Sequence, residues 1–249
     1  MSVEISRNLN EDLMSQLCSK YSLDKGIGNY PSKTFGSVPK IDKPHGYSRF
    51  YNKHFFEYRN KISSVLEIGV RYGNSLLMWS EYFPAASIYG FDIDTSQIIE
   101  EAKNFKVIEG DHFKPEDLSR LLKETQESFD IIVDDGGHEV DAQQIMLAEM
   151  FSKVNPGGFY VIEDIHTSLC DKKRYNISDD RKNSTLYVLQ VFQKTGKMLS
   201  PFIFEETASY LENNIEYCSI FFADTEDFED PTGRISGSPS ITAILKKRK

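Results

Sequence analysis

The sequence predicts an α/β fold built on a doubly wound, mostly parallel sheet, and two observations support this prediction. Between residues 64 and 164, five short apolar runs alternate with segments of helical periodicity, which is the pattern of βαβ units. Each run ends in or near a glycine or a carboxylate residue, and open parallel sheets bind ligands at the carboxyl ends of their strands. We therefore expect helices on both faces of the sheet and the functional residues along one edge.

The elements follow one another at regular spacing. The predicted strands are 64–70, 87–94, 106–111, 129–135 and 158–164. The predicted helices are 74–83 with Asn74 as a candidate N-cap, 95–103, a helix that starts at Pro115, and 139–151. The tetrapeptide N-P-G-G before Phe159 predicts a turn.

The two ends of the chain differ from this pattern. At the N-terminus, a weakly amphipathic segment precedes a Gly-, Pro-, Ser- and Lys-rich stretch at 22–46, and an aromatic helix over 47–59 is expected to cover the sheet. We interpret residues 1–62 as a helical arm or lid and residues 63–249 as the main domain. Towards the C-terminus we predict a functional loop at 165–183, a helix at 184–198, and two closing strands, 215–222 and 241–247, joined by 230–239 into an antiparallel edge.

Composition narrows the class of protein. The 249-residue chain is 39% hydrophobic, enough for a sizeable core, and its net charge of −9 argues against a nucleic-acid or anionic-membrane binder. Its three cysteines form no C-x-x-C pair, so neither a disulfide framework nor a zinc site is expected. A signal peptide and an apolar run of about 18 residues are both missing from the sequence, which predicts a cytoplasmic protein. The sequence does not determine the oligomeric state, and a homo-oligomer remains open.

Three strand ends suggest a nucleoside ligand. Gly69 and Gly73 follow the first strand in E-I-G-V-R-Y-G, where glycines let a ligand approach a helix N-terminus. Their spacing is not the G-x-G-x-x-G of pyrophosphate binding, and Glu67 before them suits a cationic ligand. Asp92 ends the second strand, where an acid can bind ribose hydroxyls, and Asp111 is placed to bind an amino group, although a turn or cap role is an equal alternative. S-adenosylmethionine fits this combination.

A second group of residues suggests a divalent metal. The run F-D-I-I-V-D-D-G-G-H ends in Asp134, Asp135 and His138, and G-F-Y-V-I-E-D ends in Glu163 and Asp164. Magnesium prefers oxygen ligands, and a histidine that titrates near neutrality can remove a proton. We therefore expect these acids and this histidine to form an active site at one edge.

Simpler interpretations of these residues stay open. Asp135 could cap the following helix, and His138 could be a surface histidine. His166 is a rival base or an extra ligand. Three residues of the arm could reach the cofactor or the acceptor, or they could only pack the arm in place: His45, Tyr47 and Tyr51.

These motifs together resemble the class I S-adenosylmethionine-dependent methyltransferases. The resemblance rests on V-L-E-I-G-V-R-Y-G-N-S-L-L-M-W, I-Y-G-F-D-I-D, E-G-D, F-D-I-I-V-D-D-G-G-H and N-P-G-G-F-Y-V-I-E-D, and it covers about residues 45–165. The sequence is most similar to the metal-dependent sugar O-methyltransferases, the group that includes the mycinamicin and macrocin enzymes. The resemblance implies a Rossmann-like, seven-stranded sheet that is mostly parallel with one antiparallel strand.

The resemblance also implies roles for individual residues. It implies His138 as the general base and Asp135 as a catalytic metal ligand. Asp134 would then lie against the methionine part of the cofactor or orient the metal site, and Tyr47 is a candidate cofactor residue that could reach in from the arm. The resemblance implies S-adenosylmethionine and Mg²⁺, or another divalent cation, as cofactors. The implied metal ligands are Asp135, Glu163 and Asp164, and the implied cofactor residues at the strand ends are Glu67, Gly69, Gly73, Asp92 and Asp111.

The implied reaction is methylation of a hydroxyl on a sugar, such as a nucleotide sugar, a surface glycan or a glycosylated product. Three alternatives remain: another oxygen acceptor (phosphate, carboxylate or phenol), a non-haem iron hydroxylase on a related fold, and a binding protein without activity. The charged run 171–174, with Arg181 and Lys182, could be a solvated loop or a lid for a phosphorylated acceptor.

Overall fold

The computed structural model describes residues 12–27, 44–170, 173–223 and 240–249. The predictions for residues 28–43 of the arm, for residues 171–172 of the charged run and for the 230–239 connection lie outside these ranges. The helices are α1 (Leu13–Lys20), α2 (Ser48–Phe55), α3 (Asn74–Tyr82), α4 (Pro115–Glu124), α5 (Val140–Met150), α6 (Thr185–Thr195) and α7 (Glu205–Asn214). The strands are β1 (Ser64–Ile68), β2 (Ser87–Asp92), β3 (Lys106–Glu109), β4 (Phe129–Asp134), β5 (Val154–Ile162), β6 (Ile215–Ala223) and β7 (Ser240–Lys247).

The strands form one seven-stranded sheet in the order β3-β2-β1-β4-β5-β7-β6. Strand β7 runs antiparallel to both of its neighbours, and the pairs among β1 to β5 are parallel. The predicted Rossmann-like sheet with one antiparallel strand is therefore confirmed. The chain order reverses between β1 and β4, and this reversal is where such sheets bind ligands.

The alternation of side chains along the strands produces two hydrophobic cores. On one face Leu66, Ile132 and Tyr160 pack against residues of α4, α5, α6 and α7. On the other face the neighbouring positions Val65 and Ile131 pack against residues of α1, α2 and α3. Because successive residues of a strand point to opposite faces, both faces are buried, as the apolar runs predict.

Two local predictions are wrong, and tertiary contacts explain why. Segment 95–103 contains only a 3-10 turn, Glu100–Ala102, because Ile99 is extended and its N–H donates to the carbonyl of Tyr72. The N-P-G-G stretch lies inside β5, next to an irregularity in its pairing with β4. Such a bulge accommodates residues that normally signal a turn.

The start of α3 also differs from the prediction. Gly73, with φ of +76°, occupies the N-cap position instead of Asn74. The side-chain amide of Asn74 donates to the carbonyls of Tyr21 and Ser22 at 2.9 and 3.3 Å. Asn74 thus ties the N-terminal arm to the sheet. Within the described ranges, no helix has the length and apolar character that crossing a membrane requires.

Candidate active site

A cavity of about 670 Å³ opens at the carboxyl edge of the sheet, beside the reversal of strand order. This volume is within the range of small-molecule sites. Its wall comes from the ends of five parallel strands and from the turn after α1. The lining residues that matter below are Lys25, Gly69, Asp92, His112, Asp135, His138 and Asp164.

Gly69 allows the loops after β1 and β4 to touch. Its φ is +84°, and a Cβ atom added there would lie 2.1 Å from the carbonyl oxygen of Asp135. Only glycine fits this combination of backbone conformation and contact. The close approach places the predicted cofactor loop directly beside the predicted metal loop.

Asp92 organises the first loop while it lines the cavity. One of its carboxylate oxygens accepts hydrogen bonds from the N–H groups of Val70 and Arg71, both at 2.7 Å. Asp111 has a local role, because its Oδ1 accepts from the N–H of Phe113 at 3.0 Å. The two neighbours of Asp111, not Asp111 itself, line the cavity.

Glu67 lies fully buried below the first loop. One carboxylate oxygen accepts a hydrogen bond from the hydroxyl of Ser75, while Oε1 has no hydrogen-bond partner among the described residues. Burial raises the pKa of Glu67 despite the nearby charge of Lys25. Glu67 does not line the cavity, so its predicted cofactor role stays a prediction.

Lys25 is the residue at this site that the sequence did not predict. Its side chain is buried, and Nζ lies 2.6 Å from Oδ2 of Asp135 and 2.7 Å from Oε2 of Glu163. Oε1 of Glu67 lies 3.5 Å away. Burial disfavours the ammonium, but these three carboxylates outweigh burial and hold the pKa of Lys25 above its ordinary value. The only sequence signal was a lysine in the otherwise irregular arm.

The arm supplies two more partners to the acidic residues. The Tyr51 hydroxyl donates to Oε1 of Glu163 at 2.8 Å, and the Tyr47 hydroxyl donates to Oδ1 of Asp164 at 2.8 Å. Both tyrosines are fully buried, so they hold the carboxylates from behind. Burial raises the pKa of both phenols, which keeps them protonated and able to donate.

Three imidazoles surround Asp164. Nε2 of His138 lies 3.6 Å from Oδ2, while Nδ1 of His166 and Nδ1 of His45 lie 3.8 and 3.9 Å from Oδ1. Burial alone would raise the pKa of Asp164, but these imidazoles and the Tyr47 hydroxyl lower it to about 2. Asp164 itself has φ of +54°, a conformation that non-glycine residues rarely adopt and that often marks a functional turn.

Asp134 points away from this group. It pairs in register with Ile68 and Ile162, whose side chains belong to the core that packs against α4, α5, α6 and α7. Its Oδ2 accepts a hydrogen bond from the Tyr160 hydroxyl at 3.2 Å. Burial raises the pKa of Asp134 to about 7. Its predicted contact with the cofactor stays a prediction, as does that of Gly73, since neither lines the cavity.

The donor set at this edge fits a divalent cation. Asp135, His138 and Asp164 each offer one ligand atom, and these atoms lie within 4.8 Å of one another. His45, Asp164 and His166 form a second such group. Glu163 belongs to neither group. Its two oxygens are bound by Lys25 and Tyr51. Of the three predicted metal ligands, the structure thus brings Asp135 and Asp164 together with the predicted base.

The cavity also fits a nucleoside. It extends past Asp92, where the sequence predicts ribose recognition, to Gly110 and His112, the two neighbours of Asp111. Nε2 of His112 is buried, and it has no hydrogen-bond partner in the described part of the chain. Burial lowers the pKa of His112, so its imidazole is neutral and can accept or donate a hydrogen bond to a bound ligand.

Comparison with known proteins places this chain among relatives of known activity. Residues 66–165 match the family described as "Methyltransferase domain". Mycinamicin VI 2''-O-methyltransferase of Micromonospora griseorubida is 39% identical over 138 residues, which are 53% of this chain and 34% of that protein. Demethylmacrocin O-methyltransferase of Streptomyces fradiae is 38% identical over 138 residues, again 53% of this chain and 34% of that protein.

A solved structure agrees with the sequence matches. The MycE methyltransferase from the mycinamycin biosynthetic pathway, in complex with Mg, SAH and mycinamycin VI, superposes with a TM-score of 0.64 at 27% identity. The superposition covers 96% of this chain and 55% of that chain. In the sequence matches, this chain spans about a third of the length of the curated relatives. The resemblance that the motifs indicate is confirmed.

Proposed function

We propose that the protein transfers a methyl group from S-adenosylmethionine to a hydroxyl of a sugar, in keeping with the match of residues 66–165 to the family described as "Methyltransferase domain". The convergence of Asp135, His138 and Asp164 beside a cavity of nucleoside size carries this proposal. It combines a site for a cation, a base and a cofactor at the reversal of strand order, where this fold binds ligands.

S-adenosylmethionine supplies a methyl group that is already activated by a positive sulfur. The protein's main task is therefore to place the acceptor oxygen in line with that group. In our proposal Gly69 lets the cofactor lie close to the backbone, and Asp92, which shapes the same loop, faces the nucleoside. The acidic residues nearby favour the positive centre of the cofactor.

Asp135 and Asp164 would hold the divalent cation, and Glu163 would join them if Lys25 released it. Two solved structures of the MycE methyltransferase contain Mg together with SAH, and oxygen donors suit that ion. When bound, the ion would make a neighbouring hydroxyl more acidic.

His138 is the base in this proposal. Its Nε2 is near Asp164, and the side chain lines the cavity about one-third exposed, so it can accept a proton and pass it to solvent. His166 is the rival, but burial lowers its pKa, and Nδ1 is enclosed without a hydrogen-bond partner in the ranges described. Both features favour His138.

A sugar is the acceptor class that the relatives favour. The curated proteins that match include two described as 2'- and 3'-O-methyltransferases of rhamnosyl tetracenomycin derivatives. Phosphate, carboxylate and phenol oxygens remain the competing acceptors within the same chemistry.

A panel assay distinguishes these acceptors. The protein is incubated with S-adenosylmethionine, Mg²⁺ and glycosides, phosphate esters, carboxylates or phenols, and S-adenosylhomocysteine formation is measured. We expect turnover with glycosides. Turnover with another class alone would overturn the sugar proposal, and none with any class, despite cofactor binding, would favour a binding protein.

Substitution of the two histidines identifies the base. We expect His138→Gln to lower kcat by about 10² to 10⁴-fold, the usual contribution of a positioned base, while the affinity for S-adenosylhomocysteine stays unchanged. His166→Gln is the matched control and should retain most activity. The opposite result would assign the base to His166.

A second candidate function follows from the other group of ligand atoms. Two imidazoles and one carboxylate, as in His45, Asp164 and His166, are the donor set of non-haem iron oxygenases. Oxygen consumption that requires Fe²⁺ and produces no S-adenosylhomocysteine would favour this alternative.

A further inference from the structure

The ammonium of Lys25 lies among three carboxylates, which we call the acidic cluster. Glu67, Asp135 and Glu163 all have an oxygen within 3.5 Å of Nζ. The side chain of Lys25 is 3% exposed, and carboxylates buried in this way require a compensating charge. In the structure, Lys25 provides it.

The ammonium of Lys25 contacts one oxygen of each of two residues that the sequence predicts as metal ligands. Oδ2 of Asp135 is 2.6 Å from Nζ, and Oε2 of Glu163 is 2.7 Å from it. The other oxygen of Glu163 accepts from Tyr51. A small ion that bound both residues would therefore stand within a few ångströms of the ammonium, and the two positive charges would repel each other strongly at low dielectric constant.

We propose that Lys25 is an internal cation that competes with the divalent ion for Asp135 and Glu163 and thereby sets the affinity of the site. The proposal rests on the proposed function, because it assumes that a divalent ion binds at this edge. Lys25 occupies the ligands when the ion is absent and withdraws its ammonium when the ion binds.

The surroundings of Lys25 allow this withdrawal without loss of the fold. The backbone is anchored, because the carbonyl of Lys25 accepts from the N–H of Ser48 at 2.8 Å. The long, flexible side chain can move independently of that anchor. Lys25 and Asp24 both line the cavity, and in our proposal the ammonium moves towards this cavity when the ion binds.

Lysine substitution tests the competition directly. Mn²⁺ is titrated into the wild type and into Lys25→Met, and free Mn²⁺ is followed by electron paramagnetic resonance. We expect the Kd for Mn²⁺ to fall at least about tenfold in Lys25→Met, which corresponds to about 1.4 kcal/mol. Lys25→Arg, which retains the charge, should bind no more tightly than the wild type.

Lys20→Met is the matched control. Lys20 belongs to the same arm and also pairs with a carboxylate, that of Glu81, but its side chain is 53% exposed. Its loss removes one positive charge from the chain without changing the acidic cluster. We expect the Kd for Mn²⁺ to stay within about twofold of the wild type, because exposed charges are screened.

Chemical labelling of the wild type provides a test that needs no variant at Lys25. Lysines are acylated with and without Mn²⁺, and each site is quantified by mass spectrometry. We expect Lys25 to be protected without Mn²⁺ and to react at least about threefold faster with it, by analogy with any group released from burial. Lys247, which is buried and donates to the carbonyls of Ser152 and Val154, should stay protected throughout.

The outcomes separate this inference from the proposed function. Equal or weaker Mn²⁺ binding by Lys25→Met, with normal binding by the wild type, would overturn the competition and leave the metal site intact. No Mn²⁺ binding by either protein would remove the metal site and the competition together. If Lys25→Met does not fold, unchanged labelling of Lys25 in Mn²⁺-bound wild type would overturn the competition.

Discussion

Asp134 and Asp135 show how much one residue of sequence changes the chemistry of a carboxylate. Asp135 lies 2.6 Å from Lys25 and faces the cavity, whereas Asp134 packs below Tyr160 in the opposite core. The alternation of side chains along β4 and into the loop that follows explains the difference. The four acids at the two strand ends therefore do not form a single group. Asp135 and Glu163 both contact the ammonium of Lys25, whereas Asp134 accepts a hydrogen bond from Tyr160.

The pKa of Asp134 makes the stability of the protein depend on pH. Burial raises this pKa to about 7 in the folded state, against about 3.9 in an unfolded chain. Between these values the folded protein keeps the proton and the unfolded chain does not. The contribution of Asp134 to the free energy of unfolding therefore falls as pH rises from about 4 to 7 and is constant above 7.

Asp134→Asn should remove this dependence. The folded-state pKa lies about two units above pH 5, and two units correspond to about 3 kcal/mol, so we expect the variant to gain about 3 kcal/mol relative to the wild type between pH 5 and pH 8. Urea unfolding at both pH values measures the change.

Asp130 at the start of the same strand is the control. Its side chain is partly buried, but hydrogen bonds from Asn155 and Ser63 lower its pKa. Asp130→Asn should therefore lose stability above about pH 4. An equal pH dependence in the wild type and Asp134→Asn would show that Asp134 is ionised throughout.

At the residue scale, the sequence predicts strand-end residues well and their distant partners poorly. Asp92, Asp135, His138 and Asp164 follow apolar runs, and the parallel sheet brings such ends to one edge. Lys25 reaches Asp135 from 110 positions away in the chain. No local sequence pattern predicts a contact between residues so far apart in the chain. A loop residue reaches a site only when the elements on either side of it pack together.

Two turns at the carboxyl edge act as one unit. The hydroxyl of Thr167 lies 2.9 Å from the carbonyl oxygen of His138 and 3.0 Å from that of Asp164. The amide of Gln143 on α5 also donates to the carbonyl of Glu163 at 3.0 Å. These bonds fix the loop after β4 relative to the loop after β5, and they hold the proposed base near the proposed metal ligand.

Thr167→Val should loosen this connection. The substitution retains the shape of the side chain and removes the hydroxyl that lies between two partly buried carbonyls. We expect a loss of about 1 to 3 kcal/mol in the free energy of unfolding and a fall of about tenfold in kcat, because small displacements of reacting groups are costly. Urea unfolding and the glycoside assay measure the two effects.

Thr195→Val is the matched control, since the exposed Thr195 also bonds a carbonyl, that of Val191, but on α6 far from the site. Unchanged kcat in Thr167→Val would mean that the two turns are positioned by other contacts.

At the element scale, predictions failed where tertiary contacts override local preference. Residues 95–103 have helical periodicity, yet Ile99 is held extended by the loop after β1. Helix α7 (Glu205–Asn214) was not predicted, although Glu205 and Glu206 at its first turn are a favourable N-terminal signal. The seven strands were predicted correctly, because the burial of their apolar side chains dominates the pattern.

At the scale of the whole molecule, the N-terminal arm packs against one face of the sheet in a shared hydrophobic core. Met14 and Tyr51 of the arm belong to the same buried cluster as Val65 and Phe159 of the sheet. The arm also supplies Lys25 to the acidic residues. A boundary at residue 63 between arm and methyltransferase domain stays a prediction, but the site as described draws on both sides of it.

The central claim is that a cofactor and a divalent ion bind next to each other at the carboxyl edge of β1, β2 and β4. Diffraction from crystals grown with S-adenosylhomocysteine and Mn²⁺ tests it most directly, because the anomalous signal locates the ion. We expect S-adenosylhomocysteine in the cavity with its nucleoside at Asp92, and one Mn²⁺ peak within about 2.3 Å of oxygens of Asp135 and Asp164, the usual range for oxygen ligands. A peak at other residues, or S-adenosylhomocysteine outside the cavity, would contradict the claim.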